Sequence, residues 1–257
     1  MYEAMMIAST GLHNQQRRLD TIANNVANIN TTAYKNSRLD FKDAMYTAGY
    51  IPARPRTPEG NQQKGHGVMI AGIAKDYSTG IIQSTDRKLD MAIEGEGFFA
   101  LENADGDTVY TRNGCFNLSV ETDGIYLVNG NGYYVQDAEG MRIQVPEYVE
   151  AMSVATDGMI TFTVDEEETM VSLGVYTFRN ITGLESIGNS NYAETISSGE
   201  RLPAENAIIR QGVIEGSNVD LAEEMTRMIR TQRVFQLASR ALTTADEMEG
   251  IANNMRR

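Results

Sequence analysis

The groups in this chain that could do acid–base, nucleophilic or metal chemistry are few, and their spacing serves none of these. His13 and His66 are the only imidazoles and Cys115 the only thiol. No metal-ligand interval links the histidines, and no Cys/His cluster exists. In Cys115-Phe116-Asn117-Leu118 the cysteine reads as a small apolar core residue rather than a reactive thiol. Gly95-Glu96-Gly97 is no phosphate loop, because neither a Lys-Ser/Thr pair nor a helix start follows it. Asn103-Ala104-Asp105-Gly106-Asp107 resembles part of a calcium loop but lacks its sixth-position Gly and twelfth-position Glu, so a hairpin turn is expected instead. Carboxylates for glycoside hydrolysis are numerous, yet nothing singles out a pair, and no tryptophan is present to stack on a sugar. The chain reads as a non-enzyme with no cofactor, no metal and no small-molecule substrate.

What the sequence does carry is a pattern at its two ends. Met5, Ala8, Leu12, Leu19, Ile22 and Val26 follow a 3–4–3–4 spacing, with Gln15 at the skipped step. Val234, Leu237, Ala241, Met248, Ile251 and Met255 keep the same spacing, with Thr244 at the skipped step. Ile22-Ala23-Asn24-Asn25-Val26 is echoed by Ile251-Ala252-Asn253-Asn254-Met255. Such a repeat predicts helices that hold a narrow seam against a partner. A second apolar line in the final helix, Leu221, Met225, Met228, Phe235 and Leu242, suits a helix with more than one partner. Asn24, Asn25, Asn28, Asn30, Thr31 and Thr32 crowd into nine positions. They read either as a frayed polar helix end or as an amide-rich surface that bonds across an interface.

Charge separates the ends from the middle. The chain has 22 basic and 35 acidic residues, but residues 87–218 alone hold seven basic and 22 acidic groups, while 219–257 hold six of each. The ends are neutral and the centre is anionic. Nucleic-acid binding, which needs a concentrated cationic surface, is excluded as an expectation. No run of about 20 apolar residues is present to cross a bilayer, so no membrane insertion is expected. The polar residues Glu3, Ser9, Thr10, His13 and Asn14 argue against a cleaved signal peptide.

The expected fold class is α+β. Residues 1–30 and 219–257 form a terminal helical domain packed as a coiled-coil-like layer, with a central antiparallel β-rich region inserted between them. The helices are expected over residues 3 to about 29 and roughly 219–257, the second capped by Asn218 or Asp220. A β-rich outer domain is expected at 89–179, where Leu89-Asp90-Met91-Ala92-Ile93 alternates and Phe98-Phe99-Ala100-Leu101 runs apolar. Asp105-Gly106, Asn113-Gly114, Asp123-Gly124, Asn129-Gly130, Asn131-Gly132 and Asp157-Gly158 read as hairpin dipeptides. Residues 31–88 and 180–218 connect the two as extended or β chain, the latter irregular in pattern. Within the first connection, the stretch 46–67 carries Pro52, Pro55 and Pro58 separated by Arg54 and Arg56. It reads as a stiff extended arm, either a solvated linker or one that lies on a neighbouring subunit.

Five segments together resemble one known family. Asn24-Asn25-Val26-Ala27-Asn28-Ile29-Asn30-Thr31-Thr32-Ala33-Tyr34-Lys35 is similar to the N-terminal signature of the flagellar rod and hook proteins. Gly95-Glu96-Gly97-Phe98-Phe99, Tyr110-Thr111-Arg112-Asn113-Gly114, Gly216-Ser217-Asn218-Val219-Asp220 and Met228-Ile229-Arg230-Thr231-Gln232-Arg233-Val234-Phe235 resemble its other landmarks, in order over essentially the whole chain. Gly183-Leu184-Glu185-Ser186-Ile187-Gly188, the overall length and the proline-bearing arm are similar to the distal-rod type. A proximal-rod or hook-type paralogue is the alternative within the family, because Cys115 and the wording of the arm depart from the usual pattern.

The resemblance implies a subunit that polymerises helically, its terminal helices lining a central channel. It also implies partners among its own copies, the other rod proteins, the hook protein and the flagellar export apparatus. The expected location is the flagellar basal body outside the cytoplasmic membrane, reached without a cleaved signal. The expected interface comprises Leu12, Leu19, Ile22, Asn24, Asn25, Val26, Asn28, Asn30, Arg54, Arg56, Met225, Met228, Phe235, Leu242, Met248 and Ile251. The rival from another class is a soluble adaptor, a closed dimer of terminal helices carrying an acidic β module.

Overall fold

The computed structural model describes residues 2–48, 63–148, 151–164, 167–204 and 206–255. The architecture is α+β, with one helix at each end of the chain and an antiparallel β-rich region between them. Two compact units emerge. Unit 1 takes Met1–Ala27, Ser37–Asp76 and Asp220–Arg257, and unit 2 takes Asn28–Asn36 and Tyr77–Val219, so the chain passes between them four times.

Unit 1 is built on α1 (Tyr2–Ala27) and α2 (Leu221–Met255), of 26 and 35 residues. Asp220 is the cap of α2: its carboxylate accepts the backbone N–H groups of Ala222 at 2.8 Å and Glu223 at 3.2 Å. Glu223 and Glu224 follow in the first turn, where the helix dipole favours negative charge. α1 stops two residues short of the expected end. The Thr31 N–H returns to the Asn28 carbonyl and the Thr31 hydroxyl to the Asn28 side chain, each at 3.1 Å, which turns the chain.

α1 packs against α2 and against two antiparallel strands, Ser37–Asp43 and Val68–Lys75. Their register runs from Ser37↔Lys75 to Asp43↔Val68 with a slip between Asp40 and Phe41. Tyr46–Ala48 and Gln63–Gly65 pair next, so the flanks of the expected arm form a β ladder rather than a free loop. Pro52, Pro55, Pro58, Arg54 and Arg56 lie outside the described residues. Among the described residues, Ile22 and Leu39 are the only buried apolar side chains of unit 1.

Unit 2 is organised around the strand Phe98–Glu102. Phe99 and Leu101 enter one core with Phe116, Leu127, Ile143, Ile160 and Phe162. Phe98 and Ala100 enter a second core with Tyr110, Tyr176, Phe178 and Tyr192. A strand apolar at its first four positions, Phe98 to Leu101, is what two buried faces require. Antiparallel pairing joins it to Thr108–Thr111, Tyr134–Val135 and Val175–Phe178. A separate three-stranded sheet, Ala151–Val154, Met159–Val164 and Glu167–Ser172, pairs antiparallel and supplies Ile160 and Phe162 to the first core.

Three local expectations need correction. Leu89–Ile93 does not alternate in burial: Asp90, Met91, Ala92 and Ile93 are all buried, the carboxylate of Asp90 facing Arg87 at 3.6 Å. Residues 180–218 are not irregular, since Glu185–Gly188, Asn191–Ala193, Arg201–Pro203, Ile208–Gln211 and Val213–Glu215 are strands. Each is three or four residues long and none buries more than two side chains, Ile209 alone in one and Asn191 with Tyr192 in another, too little for a visible period. Asn113-Gly114 is no hairpin turn either. Its flanking strands Thr108–Thr111 and Phe116–Glu121 pair with different neighbours. Gly114 is needed because a Cβ there would lie 1.7 Å from the Met91 carbonyl oxygen.

Candidate functional site

Four of the five segments that carry the family resemblance meet in space. Within unit 2, Lys35 and Glu215 have side chains 0% exposed and form an ion pair at 2.6 Å. The Lys35 ammonium also donates to the Ser78 carbonyl at 2.6 Å, and the Gly80 N–H donates to the same Glu215 oxygen at 2.8 Å. Arg112 approaches the second Glu215 oxygen at 3.2 Å and donates to the carbonyls of Tyr77, Ile93 and Gly95. Burial lowers the Arg112 guanidinium from its ordinary range, and the Glu215 carboxylate opposes that shift.

Backbone bonds complete this knot. The Ala33 N–H donates to the Glu215 carbonyl at 2.8 Å, and the Asn36 N–H to the Asn218 side chain at 2.7 Å. The Asn218 amide in turn donates to the Ser78 carbonyl at 3.2 Å. Gly80 must be glycine here, because a Cβ would fall 2.1 Å from the Gly216 carbonyl oxygen. Lys35, Gly95, Arg112 and Gly216-Ser217-Asn218 come from four of the landmark segments. Removing one partner of such a buried pair costs about 3–5 kcal/mol, because the other charge is left uncompensated. The knot fixes structure: its role is positional.

Unit 1 has a smaller counterpart. The Asn25 amide donates to the Ser37 carbonyl at 2.8 Å and accepts the Ser37 N–H at 3.0 Å, acting as a surrogate strand partner. It also donates to Glu224 at 3.2 Å, and Glu224 accepts from Arg227 at 2.8 Å. One asparagine thus ties α1 to a strand and to α2.

The remaining expected interface residues fall in three settings. Leu12, Leu19 and Val26 are half-buried and Ile22 is buried on α1, all on its first seam. On α2 the positions of reduced exposure include a line of Glu224, Met228, Thr231, Phe235, Ala238, Leu242, Ala245, Glu249 and Ala252, stepping alternately by four and three, with Arg227 and Ser239 beside it. Met228, Phe235 and Leu242 therefore sit on the sheltered line of α2. Met225, Met248 and Ile251 are exposed, as are Val234, Leu237, Ala241 and Met255 of the seam read from the sequence. Asn28 is half-buried in the turn after α1, and Asn24 and Asn30 are exposed. Arg54 and Arg56 lie outside the described residues.

Sequence reasoning missed Lys35, Arg112 and Glu215 as functional positions, and also Glu224 and Thr231, which are 1% and 2% exposed. A signal existed for the last two: a carboxylate and a hydroxyl fall on the line defined by Met228, Phe235 and Leu242.

Comparison with known proteins agrees with this convergence. Residues 5–35 match the family model "Flagella basal body rod protein". Residues 92–171 match "Flagellar hook protein FlgE/F/G D1 domain", and 210–255 match "Flagellar basal body rod FlgEFG protein C-terminal". The flagellar basal-body rod protein FlgG of Borreliella burgdorferi is 37% identical over the full length of both chains. FlgG of Bacillus subtilis is likewise 37% identical over the full length of both. From the same organism, the flagellar hook-basal body complex protein FlhP is 31% identical over both full lengths. Full-length likeness to FlgG, exceeding that to a paralogue from one and the same bacterium, together with all three rod models, means that the chain belongs to the FlgG-type flagellar basal-body rod proteins, a structural family and not an enzyme family.

Proposed function

We propose that this chain is a subunit of the flagellar distal rod that polymerises helically, through its terminal helices, into a hollow torque-transmitting shaft between motor and hook. One observation carries the reading: among the described residues, unit 1 buries almost no apolar side chain of its own while α2 leaves Val234, Leu237, Met248, Ile251 and Met255 exposed along one line. An apolar line of this length on a helix already packed on its other side calls for a further helix. The four–three stepping of the sheltered line on α2 supports coiled-coil-like packing with α1. The exposed line, which keeps the same spacing, would extend that packing to neighbouring copies. The division 1–30 with 219–257, 31–88 with 180–218, and 89–179 would then separate an inner helical layer, a connector and an outer β domain.

Arg54 and Arg56 would place the arm against the acidic outer part of another copy. The other rod proteins and the hook protein would be neighbours at the two ends of the polymer. The export apparatus would deliver the chain without a cleaved signal to a position outside the cytoplasmic membrane. Among the described residues no helix is long and apolar enough to cross a membrane.

Electron microscopy of the concentrated protein tests the reading. Open-ended tubes or fibres are expected from the native chain, and none from Leu237→Asp with Ile251→Asp. A small closed oligomer that survives both substitutions would favour the soluble adaptor instead.

A further inference from the structure

Four methionines of the terminal helices, Met6, Met225, Met248 and Met255, are exposed in unit 1, Met248 by 58% and Met255 by 79%. Met248 and Met255 flank Ile251 on the exposed line of α2, so the last stretch of that line is mostly thioether. A thioether sulfur is soft and nucleophilic, and in an exposed side chain nothing shields it from an oxidant. We infer that these methionines are an oxidation-sensitive modification site, and that sulfoxide formation there makes a free subunit unable to assemble. The inference rests on the polymerisation reading above.

The step is a two-electron oxidation by a hydroperoxide. The sulfur lone pair attacks the terminal peroxide oxygen, the O–O bond breaks, an S–O bond forms, and the other oxygen leaves as water or an alcohol. The product is a polar, chiral side chain on a surface that works by excluding water. Each oxidised seam methionine then forfeits its burial on association, weakening a contact about tenfold or more. Assembly would cover the same sulfurs. The susceptible form is therefore the free chain, and the finished polymer is protected.

Unit 2 provides internal controls. Met141 and Met170 are exposed but belong to the β-rich unit, and Met91 is 0% exposed within a core. Free protein would be treated with hydrogen peroxide, each methionine scored by peptide mass spectrometry, and polymerisation followed by light scattering and electron microscopy. Oxidation is expected at Met6, Met225, Met248 and Met255 and at the equally exposed Met45, Met69, Met141 and Met170, not at Met91, with loss of polymer growth. Methionine sulfoxide reductases should restore growth, and Met6→Leu with Met225→Leu, Met248→Leu and Met255→Leu should polymerise and resist peroxide. Met141→Leu with Met170→Leu should remain sensitive. Preformed polymer should show sulfoxide at Met141 and Met170 but about tenfold less at the α2 positions. Oxidised wild-type protein that grows as well as untreated protein would overturn the inference alone. Untreated protein that never grows would overturn the polymerisation reading and the inference with it.

Discussion

Tyr77, Tyr110 and Tyr192 bring ionisable groups into the aromatic core of unit 2. Tyr77 meets Tyr192 edge-on at 5.5 Å, and Tyr110 meets Phe178 at 4.8 Å. Burial raises all three phenols, Tyr77 to about 12 from an ordinary 10.0 and Tyr192 further. The fold therefore favours the neutral form. The stability this contributes is complete below pH 10.0 and is lost as pH rises through the folded values, near 12 for Tyr77. Unit 2 should hold its melting temperature up to pH 10.0 and lose it progressively towards pH 12. Tyrosinate absorbance should grow in two phases, the exposed phenols first. A single phase at the ordinary value, with the fold intact, would contradict the packing. The polar residues of the knot follow a different logic. Lys35 stands in a recognisable segment, but its partner Glu215 is 180 positions away, and a single sequence offers no way to pair them.

At the scale of elements, the two helices, the α+β class and the doubly buried strand Phe98–Glu102 were legible. Each repeats its signal over several residues. The strands after residue 180 were not, because none buries more than two side chains and Glu185–Gly188 and Arg201–Pro203 bury none. The seam on α2 was half legible: periodicity located both apolar lines but could not say which faces α1. The structure shelters the line of Met228, Phe235 and Leu242 and leaves that of Leu237, Met248 and Ile251 in solvent. That choice has a measurable consequence. With Ile22 and Leu39 as its only buried apolar side chains among the described residues, unit 1 has little to hold its helices in dilute monomer. Hydrogen exchange should find the amides of α1 and α2 weakly protected there, those of Phe98–Glu102 strongly protected, and all of them protected in the polymer. Strong helix protection in the dilute monomer would refute this.

Taken whole, the molecule divides its charge as it divides its packing. Unit 2 carries eight basic and 23 acidic residues, and unit 1 carries 14 basic and 12 acidic. Copies placed side by side must bring acidic units together, and that repulsion is long-ranged only while salt is dilute, the screening length being about 10 Å at 0.1 M. The concentration needed for polymerisation should accordingly fall as sodium chloride rises from about 0.05 to 0.3 M, whereas a polymer held by exposed ion pairs would weaken. Sedimentation across that range distinguishes the two.

The span between Lys35 and Glu215 also dictates an order of events. A chain made or delivered from its first residue onward has no carboxylate for Lys35, and no carbonyl for the Ala33 N–H, until residue 215 of 257 has arrived. Until then the segment Asn28–Asn36 lacks these two anchors in unit 2. Closing a loop of that length is slow compared with forming local turns. The Lys35–Glu215 knot can thus close only after both cores of unit 2 already have all their residues.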